Sequence, residues 1–594
     1  MAHSRSPAAR AVTGIRLLFT ALGLSGLIFG YMGLNQYEHM HPNEENHKVD
    51  SSVSNLIYYD VELALLQSTP LASGGPVPGE LQIGRFCAPC VLVYPVTEFG
   101  VALSAVRIRR ARTRRLRGHV VICGSTRAAQ VLTSRLRADG TRVVVVSPDA
   151  ADEADHDAVT GDPCSPYTLR AAGVAGARRV YACFALGEQN AEIAAAVEQA
   201  RSPGGSLPER IHVLIPDLEL CSALRARHWS VADTGGRRLG FFNPEETAAQ
   251  ATVRVDDAAF AGETPRIAIV GTGAFARSVL TEFARQWLAR GGVRREPVVV
   301  LFIGVDAHGI AAELAGQYAF LASVCRIVPY AEPFERVLER YAADPSAPRL
   351  RRLYFCQDDE GDALKAALDT AAGFQSAFTQ AVVRVDRMTG IAAGFRAGPD
   401  GGGILFDALG GRLRLVDVTA EGCDPDLIED DLAESLARAC HQRYLTDQFA
   451  AGAAPRSSSA MVPWETLTEQ YRWANRDQAA DIGRKLAEID CILSTRRANG
   501  PQFAFQHGEV ERLAELEHER WTAERQRQGW QWGRERDNAV RLHPGLVPWQ
   551  QLPESEREKD RQVVRSLPEL LADAGLAIVR MEASSPTVAV TGRG

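Results

Sequence analysis

Hydrophobic positions follow three different rhythms along the chain. Near the start, Leu17 to Tyr37 is an uncharged run of 21 residues, long enough as a helix to cross roughly 30 Å of hydrocarbon. Phe86 to Val106 is a second apolar stretch, broken by Pro89, Pro95 and Glu98. Beyond residue 118 the pattern changes to short apolar strands, each followed by a glycine turn and a helical stretch. His119–Cys123, Arg142–Val146, Arg266–Val270 and Pro297–Ile303 are the clearest strands. After about residue 425 the periodicity is that of amphipathic helices rich in Trp and Arg.

Charge refines the first regime. Residues 1–34 carry three Arg and no acid, residues 35–80 carry seven acids against one Lys, and Arg107–Arg117 holds seven Arg and no acid. Basic flanks stay in the cytoplasm, so two spans with both ends inside satisfy the pattern, whereas one span strands the second Arg cluster outside. Gly26 and Gly30 form a small-xxx-small pair suited to close helix contact. Asn55–Gln67 followed by Ser73-Gly-Gly-Pro76 gives the outline of span, short helix, loop and span. On this outline Glu98 is the candidate pore residue, because an ionisable group facing lipid costs at least ~2.5 kcal/mol. A potassium-type Thr-x-Gly-Tyr-Gly filter is missing from residues 55–85. The overall net charge of −7 from 66 basic and 73 acidic residues gives no reason to expect a nucleic-acid polymer as partner. Eleven dispersed Cys suit buried reduced thiols better than a disulfide framework.

In the second regime, Gly124-Ser-Thr126-Arg-Ala-Ala129 follows a strand and opens a helix, as in a dinucleotide-binding βαβ unit, with Thr126 and Ala129 at the second and third glycine positions and Ser147 where an acid is usual. The pattern resumes as Gly271-Thr-Gly273-Ala-Phe-Ala276, with Asp306 after the next strand. Free glycines let backbone approach phosphate, and a helix N-terminus favours its charge. The ligand expected is NAD(H) or another nucleotide. No hydride-transfer or nucleophile constellation accompanies either half, so no catalytic residue and no metal site is assigned, and an NAD-dependent oxidoreductase has little support.

Two spans, the Arg-rich linker, His119–Gly124, Thr160-Gly161-Asp162, Gly173-Val174 and Asn190 together resemble prokaryotic channels with TrkA-type regulator-of-potassium-conductance (RCK) domains, over roughly residues 100–400. That resemblance implies Rossmann halves in a cytoplasmic ring, a tetrameric homo-oligomer, and gating of cation flux, potassium included, by a bound nucleotide. Carried over by residue, Gly124, Thr126 and Ala129 would hold ligand in the first half, and Gly271, Gly273, Ala276 and Asp306 in the second.

The third regime contains an internal repeat. Val462-Pro-Trp464 with Leu467, Glu469, Arg472 and Arg476 recurs 85 residues later as Val547-Pro-Trp549, Leu552, Glu554, Arg557 and Arg561. Leu436, His441, Arg443 and Tyr444 recur 77 residues later as Leu513, His518, Arg520 and Trp521. The second unit, with Gly529-Trp530-Gln-Trp532-Gly533, looks like the ryanodine-receptor (RyR) repeat; the first lacks that loop. Trp faces beside guanidinium groups suit stacking a base and neutralising phosphate. His518, Arg520, Trp521, Trp530, Trp532 and Trp549 are therefore the candidate ligand residues.

The expected architecture is multidomain: a two-helix transmembrane region at 1–117 (spans about 15–37 and 84–106), tandem α/β Rossmann-like domains at 118–255 and 256–424, a C-terminal mainly α domain of tandem RyR repeats at 425–581, and a disordered tail at 582–594. The function expected is a ligand-gated channel or channel-like sensor in the cell membrane, in contact with lipid, with both termini cytoplasmic. A non-conducting, membrane-anchored nucleotide receptor is the alternative.

Overall fold

A computed structural model of the chain describes residues 7–40, 52–65, 67, 76–89, 113–149, 157–201, 208–229, 239–291, 295–374, 377–395, 411–429, 432–454, 456–497 and 500–581. The chain divides into two compact units, Met1–Arg112 and Thr113–Gly594. Glu98, most of the expected second span and the 582–594 tail lie outside the described residues.

In the first unit, helices run over Pro7–Met40, Val53–Ala64 and Gly79–Cys87. The expectation of two membrane-crossing helices is not supported, since no helix among the described residues is long and apolar enough to cross a membrane. The side chains of residues 7–18, among them Leu17 and Leu18 at the start of the apolar run, lie outside those described; the described part from Phe19 carries Thr20, Ser25, four glycines and the polar end Asn35-Gln36. The glycines have a packing role. A Cβ on Gly84 would stand 2.5 Å from the Gly30 Cα, and one on Gly33 would stand 2.3 Å from the Leu81 nitrogen. Only bare backbone permits that approach. Gly26 is held as closely against Cys87 and Ala88.

The second unit contains two six-stranded, all-parallel sheets. Strands β1 (Val120–Cys123), β2 (Val143–Ser147), β3 (Ala158–Thr160), β4 (Arg179–Ala182), β5 (Arg210–Leu214) and β6 (Leu239–Phe242) lie in the order 3-2-1-4-5-6. Strands β7 (Arg266–Val270), β8 (Val298–Ile303), β9 (Cys325–Tyr330), β10 (Leu350–Phe355), β11 (Phe378–Val385) and β12 (Leu413–Asp417) repeat that order as 9-8-7-10-11-12. Runs such as Val143–Val146 and Val298–Ile303 are apolar on both faces because helices cover both faces of a parallel sheet. Each sheet reverses its winding next to its first strand, which places the crevice at Gly124 in one half and Gly271 in the other.

The halves exchange helices. The Pro244–Arg254 helix leaves β6 and buries Ala248, Ala249 and Val253 in the core of the second half. After β12 the chain returns, and Cys423 and Ile428 join Val120, Ile122 and Leu132 in the first half. The crossing segments touch, since a Cβ on Gly422 would stand 2.1 Å from the Pro244 carbonyl oxygen. Arg127 reinforces the joint by pairing with Asp386 at 3.3 Å and with the buried carboxylate of Asp417.

The C-terminal region is helical, with helices Leu432–Ala450, Glu469–Ala487, Glu509–Arg527 and Glu554–Asp573 around one core. Ala226 of the Leu218–Trp229 helix belongs to that core as well. The sequence repeat is a repeat of contacts. Arg472 donates to the carbonyls of Trp464 (3.1 Å) and Glu465 (2.8 Å), and Arg557 to those of Trp549 (3.1 Å) and Gln550 (2.8 Å). Strand β13 (Cys491–Thr495) pairs antiparallel with β14 (Leu576–Arg580), and Leu493 faces Ile578, its own counterpart 85 residues on. Pairing of equivalents is the signature of a two-fold axis, so the two units are related by an internal pseudo-two-fold through that residue pair.

Candidate functional site

The crevice of the first half is built on Gly124, which sits at φ +141°, where a Cβ would meet the Cys183 carbonyl oxygen at 2.7 Å. Thr126 caps the Arg127–Ala138 helix, accepting from the Ala129 amide at 3.4 Å, and its hydroxyl donates across the crevice to the Cys183 carbonyl. Ala129 is buried in the helix–sheet core. Thr126 therefore both supplies the turn and closes the gap between β1 and β4.

The second crevice has the same plan and a different plug. Gly271 sits at φ +114°, with a would-be Cβ 2.8 Å from the Cys356 carbonyl. A Cβ on Gly273 would lie 2.9 Å from Asp358 Oδ1, so the open side of the glycine turn faces a carboxylate. Ala276 is fully buried, and Asp306 is exposed at the start of the Ala307–Gln317 helix without capping it. The structure thus brings Gly271 and Gly273 together at one crevice, with Asp306 at the end of the neighbouring strand. The sequence pattern did not reveal Asp358, which comes from the far side of the winding reversal. Its signal is its position two residues after Cys356, the counterpart of Cys183.

The RyR-like residues separate into three environments. Trp549 is buried beneath the Arg557 guanidinium, 5.7 Å from its ring centre, as Trp464 is beneath Arg472 at 6.0 Å and Arg438 at 5.4 Å. Arg520 is nearly buried and meets three carboxylates: Asp477 at 2.7 Å, Glu517 at 2.8 Å and Glu524 at 3.0 Å. Its charge is spent inside the fold and faces no open ligand position. His518 is buried between Trp521 and Trp549.

Trp521 and Trp530 do share one feature. Arg525 lies over both rings, at 5.8 and 5.3 Å, and His543 closes the group at 4.9 Å from Trp521. Burial lowers the pKa of Arg525 and, with the nearby Arg536 and Arg525 charges, that of His543. The aromatic cage therefore already contains a cation from its own chain. Trp532 stands outside it, 56% exposed.

Residues 120–217 match the TrkA-N domain and residues 506–580 the RyR domain. The chain carries both. The RyR match covers the second of the two pseudo-symmetric units, the one with the Gly-Trp-x-Trp-Gly loop. Among solved structures the chain is similar to the GsuK channel. The ADP-bound GsuK structure is 15% identical, covering 72% of this chain and 98% of that one at a TM-score of 0.33. The NAD-bound GsuK structure is 14% identical, covering 73% and 86% at 0.35. A D-isomer specific 2-hydroxyacid dehydrogenase from Xanthobacter autotrophicus Py2 is 14% identical, covering 57% and 98% at 0.19.

In the TrkA-N domain the residues that set the crevice are thus Gly124, Thr126 and Cys183. Asn190, singled out in the sequence, is fully buried. It accepts from the Phe184 amide at 2.7 Å and donates to the Phe184 and Leu214 carbonyls at 2.8 and 2.9 Å, fixing the strand ends around the crevice.

Proposed function

We propose that the chain is a non-enzymatic, ligand-sensing regulatory protein. Its TrkA-N domain and second Rossmann-like half take a nucleotide-type ligand, NAD(H) or ADP being the first candidates. They pass its binding to a channel-like membrane region that conducts cations, potassium among them. The observation that carries the sensing reading is the duplicated winding reversal, each with a positive-φ glycine packed against a carbonyl and a helix N-terminus beside it. That is where open α/β sheets bind ligands. GsuK structures described as bound to ADP and to NAD are consistent with it.

The membrane reading is supported by the inverted polarity of the Pro7–Met40 helix. Gly26, Gly30 and Gly33 face protein, while Leu24, Ile28 and Met32, each more than half exposed, form one outward stripe at helical spacing. Phe86 is 81% exposed. An apolar surface of that kind is suited to lipid or to further subunits. The Arg pattern around it favours both termini in the cytoplasm, and a homo-tetramer is the assembly proposed by resemblance.

Ion flux through purified full-length protein in liposomes, with and without NAD+, NADH and ADP, tests the reading. Nucleotide-dependent flux supports it. Nucleotide-dependent thermal stabilisation without flux reduces it to a non-conducting receptor, and neither response refutes it. Gly273→Trp, which fills the second crevice, should remove the stabilisation that arises there.

A further inference from the structure

One carboxylate in the first unit is buried with nothing to hold its charge. Asp60, in the Val53–Ala64 helix between the two expected spans, is 7% exposed, and its Oδ1 is buried without a hydrogen-bond partner among the described residues. The core beside it is apolar, made by Leu34, Leu56, Leu63 and Leu81. An ionised group in such a place is costly unless it is paired, and it gives up its charge instead.

Asp60 also stands where the unit is packed most closely. A Cβ on Gly30 of the Pro7–Met40 helix would collide with the Asp60 carboxylate oxygen, and the same glycine receives Gly84 of the Gly79–Cys87 helix. Three helices therefore meet at Gly30 with the carboxyl group laid on bare backbone. A neutral carboxyl can stay there. A hydrated carboxylate needs room that the junction gives only if a helix moves away.

The titratable groups on the packed elements are Tyr59 and Glu62 on its own helix, Tyr31 and Tyr37 on the long helix, and Glu80 and Arg85 on the third. None of them bonds to Asp60 or offsets its burial, which pushes the carboxyl up from 3.8 to about 6. A metal cation would ask for several oxygen ligands, and among the described residues no cluster of three His, Cys, Asp or Glu offers them.

We propose that Asp60 is a proton-binding site that sets the packing of the first unit: the neutral side chain lets the three helices close at Gly30, and the ionised one drives them apart to reach water. The site is independent of nucleotide binding and holds whether or not the glycine crevices take ligand. A raised carboxyl value makes the stabilisation complete below 3.8 and lost as pH rises through about 6. The closed junction is therefore the acid form.

Hydrogen exchange of the purified full-length protein tests this, with parent and Asp60→Asn compared at each pH so that the intrinsic pH dependence of exchange cancels. Peptides from residues 24–40 and 79–88 should exchange alike in the two proteins near pH 4. By pH 7 the parent should exchange faster by up to about a hundredfold, the ratio that 3.8 against about 6 allows. Glu62→Gln, on the same helix, should keep the parent's pH dependence. Labelling of the parent by dicyclohexylcarbodiimide, which attacks protonated carboxyls, gives a reading that needs no variant: Asp60 should label with a midpoint near pH 6. Equal exchange at every pH overturns the proposal, as does a difference of the same size at pH 4 and pH 7. A difference that closes with added potassium chloride at constant pH overturns it in favour of a metal cation.

Discussion

His441 and His518, counterparts in the internal repeat, each place Nε2 2.8 Å from a backbone carbonyl, that of Val462 and that of Val547. They differ on the other ring nitrogen. His518 Nδ1 lies 3.5 Å from the Asp560 carboxylate, whereas Asn475 holds that position in the first unit.

Burial lowers the pKa of His441 below the ordinary 6.5, with the Val462 carbonyl opposing it. Burial acts on His518 in the same sense, but the Asp560 hydrogen bond, the Val547 carbonyl and the Asp560 and Glu517 charges outweigh it, and its pKa rises. A raised folded-state value makes the stabilisation by protonated His518 complete below 6.5 and lost as pH rises through that folded value. Titration by NMR should find His518 protonating at higher pH than His441. Asp560→Asn should bring His518 below the ordinary value; an unmoved His518 would show that Asp560 is not the cause.

A buried ion pair ties the two RyR-like units together. Lys485, fully buried, pairs with Glu517 across the repeat and with Asp481 at 3.2 Å. Lys485→Met should cost about 1.5–3 kcal/mol, the range for hydrogen bonds to charged groups, because Glu517 keeps Arg520 at 2.8 Å and Asp481 keeps Arg484 at 2.6 Å. Denaturant melts would measure this. Burial alone would raise the Glu517 carboxyl, but Lys485 and Arg520 overcome it and hold it down to about 2. Its contribution is thus present above the ordinary 4.5 and lost as pH falls toward 2, so the variant and parent melts should converge in acid.

Asp358 stands where a pyrophosphate would approach Gly273, so removing its charge should help an anionic ligand. Calorimetry with ADP and NAD+ should show Asp358→Asn binding about tenfold more tightly than the parent, if one like charge near the phosphate is worth about 1.4 kcal/mol. Unchanged or weaker binding would place the nucleotide elsewhere.

Arg127→Ala should loosen the joint between the two halves. It removes the guanidinium paired with Asp417, a carboxylate only 4% exposed, whose oxygen also accepts from the Ala420 amide at 2.9 Å. The expected loss is about 1.5–3 kcal/mol, the range for hydrogen bonds to charged groups. Hydrogen exchange should show it first in β1 and β12.

The local signals in the sequence were legible because they are periodic. Apolar strands followed by Gly124 and Gly271 marked both parallel sheets, and the Val-Pro-Trp spacing marked a repeat that recurs contact by contact. What escaped depends on distance in space. Thr126 reaching Cys183, Asp358 facing Gly273, and Arg520 surrounded by Asp477, Glu517 and Glu524 are each set by strand order or helix packing. Composition saw guanidinium beside indole and read a ligand site. The fold uses most of those pairs as lids on buried Trp, and Arg525 fills the cage of Trp521, Trp530 and His543. The swapped Pro244–Arg254 helix carries no local mark at all, since an apolar face reads the same whichever half it covers.

The strand pair at Leu493 and Ile578 has a consequence for how such a domain arises. A protein with a single copy of this unit would end in a strand whose hydrogen-bonding edge is bare, and a second molecule would satisfy it through the same register. The duplication in this chain is then a homodimer made covalent. Fusion frees the two copies to diverge, so that one can lose its Trp loop while the other keeps it, at no loss of the shared seam.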